Sequence, residues 1–60
     1  MIIDKTYSLK EIQKNGLTPN PLANVDYSVF KKHEKIYFFE QNDSTKFKLF
    51  SIINKHSFFL

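Results

Sequence analysis

Two histidines, His33 and His56, are the side chains of this chain best suited to acid–base chemistry near neutral pH. Nucleophilic catalysis would need one of them beside a hydroxyl such as Ser8, Ser28, Ser44, Ser51 or Ser57, with a third group to orient the base. The sequence supplies no such pattern. Ser8 and Ser44 have simpler roles, as a helix cap and a turn residue. The acids Asp4, Glu11, Asp26, Glu34, Glu40 and Asp43 show no paired-carboxylate spacing. A single glycine leaves no phosphate-cradling loop. With no cysteine there are no thiolate ligands and no disulfides, and the two histidines stand far apart without patterned carboxylates. The expectation is a protein that is not an enzyme and takes no cofactor, metal or small-molecule substrate.

Binding chemistry remains. The formal net charge is +3, carried by nine lysines and no arginine. Lysine is a compact point charge, whereas arginine is the planar reader of guanine edges and phosphate pairs. Lys, Asn, Ile, Phe and Tyr make up half the chain, and all five have AT-rich codons. The lysine bias is therefore read as a low-GC genome, and a compact regulator from such a genome is the kind of protein that phage and mobile-element genes often encode.

The richest segment runs from Ile36 to Ile53: IYFFEQ, then NDST, then KFKLFSII. Two aromatic-rich runs around a polar, turn-forming tetrad predict a β-hairpin. A four-residue loop over residues 42–45 sets Glu40 opposite Phe47 and Phe38 opposite Leu49. On that register Ile36 and Phe38 share a face with Phe47 and Leu49, and Tyr37 and Phe39 share the other with Phe50 and Ile52. A loop of odd length would exchange one strand's faces. Both faces are apolar, more so than a half-solvated antiparallel sheet requires. Exposed apolar patches mark interaction sites. Tyr37, Phe39, Phe50 and Ile52, with Phe58 and Phe59 of the tail HSFFL, are the expected protein-interface residues.

The elements that must position this hairpin are short. Ser8 followed by Glu11 is a capping box, Tyr7 and Ile12 form a hydrophobic staple, and Gly16 ends the helix with Leu17 packing back on Ile12. This predicts a helix over residues 9–15. TPNPLA, with Pro21 holding Asn20 extended, reads as a connector. A second short helix is expected over residues 26–33, capped by Asp26, with a strand or turn over residues 27–30 as the alternative. Residues 1–6 are β-compatible and offer a third strand, which an isolated hairpin needs.

SLKEIQKNGLT resembles the opening helix and turn of helix-turn-helix domains, and with a hairpin as wing the outline is similar to small excisionase-type and MerR-type winged helices. That resemblance implies a DNA-binding alternative in which Lys31, Lys32 and Lys35 on the second helix, with Lys46 and Lys48 on the wing, contact phosphates. It covers about ten residues. Against it, TPNP stands where a short turn is expected. A further variant uses Tyr37, Phe39 and Phe50, beside Lys35 and Lys48, as a base-stacking platform.

The expected architecture is thus a single α+β domain over residues 1–60, with one or two short helices packed on a small antiparallel sheet built around the C-terminal hairpin. A chain this short buries only about 60% of its unfolded surface. With disulfides and metals set aside, oligomerisation or a larger partner is the remaining support. Met1-Ile2-Ile3 is followed at once by Asp4 and Lys5, which gives no signal-peptide core, and no apolar run approaches a membrane span. The expectation is a cytoplasmic regulator or inhibitor that binds a protein partner, including a second copy of itself as a homodimer.

Overall fold

The computed structural model describes residues 1–20 and 26–54. Five strands and one helix follow in the order β1 (Thr6–Ser8), α1 (Leu9–Lys14), β2 (Thr18–Pro19), β3 (Ser28–Lys32), β4 (Lys35–Asp43) and β5 (Lys46–Asn54). The strands form one antiparallel sheet in the order β1-β5-β4-β3-β2. The sheet dominates, and the helical share of the α+β expectation reduces to six residues.

Strands β2 to β5 are a meander, while β1 attaches beyond β5 at the opposite edge from β2. The chain must therefore cross the sheet between β1 and β2, and α1 makes the crossing. Its local grammar is complete. The Ser8 hydroxyl accepts from Glu11 N at 3.2 Å and the Glu11 carboxylate accepts from Ser8 N at 3.1 Å. At the other end Gly16 takes φ +84, donating to Gln13 O at 2.9 Å, while Leu17 N donates to Ile12 O at 3.3 Å. These two bonds define a Schellman cap, which satisfies carbonyls the helix would otherwise leave orphaned. Such a short helix is marginal in water by itself and is held by packing.

That packing lies on the face of the sheet beneath α1. Ile12 and Leu17 join Tyr7, Phe30, Tyr37, Phe39, Phe47 and Leu49 in one core, with Met1 and Ile52 against its margin. Ile12, Phe39 and Leu49 are fully enclosed. Burying side chains of this size contributes roughly 1.5–3 kcal/mol each. Phe30, Phe39 and Phe47 meet edge-to-face, with centroids 5.5–6.4 Å apart, the arrangement that the ring quadrupole favours.

Three expectations change. Residues 28–32 form strand β3, so the second helix is absent and the strand alternative holds; Val29 and Phe30 are buried on opposite faces. β-Branched and aromatic residues pair with β4 here more favourably than they would close one isolated helical turn. The β4–β5 loop is Ser44-Thr45 rather than four residues, because Asp43 pairs with Lys46. The register also shifts: Gln41, not Glu40, lies opposite Phe47, and Phe39, not Phe38, lies opposite Leu49. An extra residue at Asn42, between the Asp43–Lys46 and Gln41–Phe47 pairs, produces the one-residue offset. A change of one residue exchanges faces, so Tyr37 and Phe39 share the core with Phe47 and Leu49. A strand does join from the N-terminal side, but as Thr6–Ser8 opposite Lys46 to Lys48; of the expected span over residues 1–6 only Thr6 is in it, and residues 2–5 form a turn closed by Lys5 N donating to Ile2 O.

Candidate functional site: the second sheet face

The face opposite α1 is built from the other half of the alternation. Ile36, Phe38 and Glu40 of β4 lie across from Ile53, Ser51 and Lys48 of β5, and from Lys31 and Val29 of β3. A second irregularity, between Phe38 and Phe39, leaves Phe50 as an extra residue of β5, and as the residue after the core Leu49 it points to this face by alternation. There Tyr27, just ahead of β3, stacks on Phe50 with centroids 4.9 Å apart and planes 9° from parallel. The Tyr27 ring also meets Phe38 edge-on at 6.3 Å. Val29 and Ile36 are buried on this face, yet Tyr27 keeps 39% of its surface exposed and Phe50 46%.

The expected interface residues therefore separate. Tyr37 and Phe39 are enclosed in the core beneath α1, and Ile52 packs against it. Phe50 is exposed. Phe58 and Phe59 lie outside the described residues, as does His56. Tyr27 was placed at a helix start from sequence and belongs to the exposed aromatic patch instead. Its signal was its spacing of two from Val29, the period of a strand face.

The lysines separate as well. Lys31, Lys46 and Lys48 fall on the second face, while Lys32 and Lys35 oppose one another across the His33-Glu34 turn with side chains toward the α1 side. The Lys32 stem passes 3.6 Å from where a Cβ on Gly16 would stand. Lys48 sits opposite Glu40, and Lys46 opposite Asp43. The five cations thus form no single stripe. With residues 28–32 extended, the winged-helix alternative lacks its recognition helix, and the platform variant loses Tyr37 and Phe39 to the core.

The other polar geometry is structural. The Tyr7 hydroxyl accepts from Ile2 N at 2.8 Å, and Lys5 Nζ stands 5.5 Å from the Tyr7 ring centre. Asp43 Oδ1 accepts from Thr45 N at 2.8 Å and from its hydroxyl at 3.0 Å; the backbone bond, then the hydroxyl, holds this carboxyl below its ordinary range. Among the described residues no three metal-ligating side chains come together, and no helix is long and apolar enough to cross a membrane. Comparison with protein-family models, with curated proteins and with solved structures gives no match.

Proposed function

We propose that this chain is a small, non-enzymatic binding module acting through protein–protein contact, with the second sheet face around Tyr27 and Phe50 as the contact surface. The observation that carries the reading is the stacked Tyr27–Phe50 pair, two large rings left 39% and 46% exposed while Tyr7, Phe30, Tyr37, Phe39 and Phe47 are enclosed. Aromatic side chains are enriched at the centres of interfaces because each buries a large area at little rotamer cost. Lys31, Lys46 and Lys48 on the same face suit a polar rim. A regulator or inhibitor is the role that fits a module of this size.

The test is affinity capture from host lysate with the wild-type chain, a Phe50→Ser/Tyr27→Ser double variant and a Lys31→Ala/Lys48→Ala double variant. Circular dichroism confirms that each is folded. The reading expects a defined protein retained by the wild type, lost with the ring variant and kept with the lysine variant. Retention by the ring variant sinks it. Capture of nucleic acid that weakens steeply with salt, through counterion release, would replace it with the phosphate-binding alternative.

A further inference from the structure

We infer that the open edge of β5, residues 50–54, pairs antiparallel with the same stretch of a second copy and joins two five-stranded sheets across a two-fold axis. The inference rests on reading this chain as a protein-binding module and names one partner for it.

Among the described residues the edge is open because β1 is short. Thr6, Tyr7 and Ser8 pair only with Lys48, Phe47 and Lys46, and the ladder ends where Leu49 N donates to Lys5 O at 3.0 Å and Leu49 O accepts from Asp4 N at 2.7 Å. The chain then turns away, with Asp4 at φ 72 and Lys5 N donating to Ile2 O at 3.2 Å. Beyond Leu49, β5 runs five residues further, paired with β4 on one side and, among the described residues, with no strand on the other. Leu49 turns its backbone polar groups outward, so its cross-strand partner Phe39 sits in a non-bonded pair. The next β4 residues facing β5 are Phe38 and Ile36, whose partners are Ser51 and Ile53. By alternation Ile52 and Asn54 present their N–H and C=O groups to the open edge.

The two edges of the sheet are treated differently. At the β2 side, Pro19 occupies the edge strand opposite Phe30, with Lys31 opposite Thr18; proline and lysine at an edge discourage strand addition. The β5 stretch FSIIN carries no charge and no proline. Exposed apolar groups collect alongside: Ile2 at 64% and Ile3 at 45% in the turn next to Leu49, and Phe50 at 46% on the second face with Tyr27 stacked on it. Of the five large exposed apolar side chains among the described residues, only Leu9 lies elsewhere.

The occupant follows from symmetry and charge. Identical segments in antiparallel array are self-complementary, which is the isologous contact of a closed dimer. Two chains of net charge +3 repel at most surfaces, but this stretch brings no like charges opposite each other. A further gain is that a marginal chain gains core without disulfide or metal.

The test uses the full chain, made by synthesis, as wild type, with an N-methyl group on the Ile52 amide, and as Asn54→Pro. Both changes remove an outward donor and leave the β4 ladder intact. Sedimentation equilibrium over a dilution series is expected to give twice the 7.2 kDa chain mass for the wild type, with the Ile52 amide protected from exchange in the dimer and exposed on dilution. Each variant should weaken association roughly tenfold or more. A wild type at single-chain mass throughout, a dimer in which the Ile52 amide exchanges freely, or variants that dimerise as tightly as the wild type each overturn the inference. If the wild type is monomeric but still captures a partner lost with Phe50→Ser/Tyr27→Ser, only the strand pairing fails and the binding reading stands.

Discussion

Tyr27 lies flat on Phe50, with ring centroids 4.9 Å apart, although the two residues sit on segments separated in the sheet by β4. The contact spans the second face from the start of β3 to β5, where Phe50, the residue after the core Leu49, points away from the core by alternation. Offset-stacked rings are worth about 0.5–1.5 kcal/mol beyond their area. Phe50→Ala should therefore cost about 1 kcal/mol, and a double-mutant cycle with Tyr27→Ala should recover about half of it or more as coupling energy. Denaturant unfolding measures this; additive single effects would mean that the stack contributes nothing.

Phe39 occupies the opposite position in the energetics. It is fully enclosed between Phe30 and Phe47 and faces Leu49. Phe39→Ala removes a ring from the centre of the core beneath α1 and should cost about 3–5 kcal/mol. A chain this small has little more than that to lose, so the variant should show no cooperative thermal transition. Phe50→Ala, by contrast, should stay folded. The contrast tests the register directly, because the expected four-residue loop would have put Phe39 and Phe50 on the same face.

Gly16 and His33 hold left-handed backbone for different reasons. Gly16 has φ +84 as the residue that ends α1, and the nearest atoms to a Cβ there belong to the flexible Lys32 stem. Gly16→Ala should thus cost about 1–2 kcal/mol through backbone strain rather than collision, and shortening Lys32 should not rescue it. His33 has φ 56 in the two-residue turn between β3 and β4. His33→Gly relieves that strain at some cost in unfolded-state entropy and should stabilise by roughly 0.5–1 kcal/mol. A rise in the midpoint of thermal unfolding checks it; a fall would mean that the imidazole contributes something the backbone geometry does not show.

How much of this was legible depends on how local each signal is. The helix from Leu9, its Ser8–Glu11 box and its Gly16–Leu17 end all concern neighbours within a few residues, and the structure places each as expected. The hairpin was legible as an element, but its register was not. Asn42 and Phe50 are each one extra residue in a strand, and nothing in their types marks them apart from their neighbours. One such residue decides which of Tyr37 and Phe38 enters the core. Residues 28–32 failed as a helix because SVFKK has apolar positions compatible with either period over so short a span. Pairing with β4 then decides, and that information is not local. Tyr27 joined the candidate site only through that change.

Asp43 provides the test that depends on pH. Its carboxylate accepts from the backbone N–H of Thr45 at 2.8 Å and from the Thr45 hydroxyl at 3.0 Å, with Lys46 next in line. These contacts favour the charged form and lower the carboxyl below its ordinary value in the folded chain. A group depressed on folding binds fewer protons in the folded state, so its contribution is fully present above the unfolded-state value of about 3.9. It fades as pH falls through and below that value. The group is fully exposed, so the contribution is small and is screened by salt. Asp43→Asn retains an acceptor for Thr45 N but cannot titrate. Its stability relative to wild type should be lower at neutral pH and should converge with the wild type in strong acid, as read by urea midpoints from pH 7 down to about 2. Parallel curves for the two proteins across that range would show that the Thr45 contacts do not depend on the charge of Asp43.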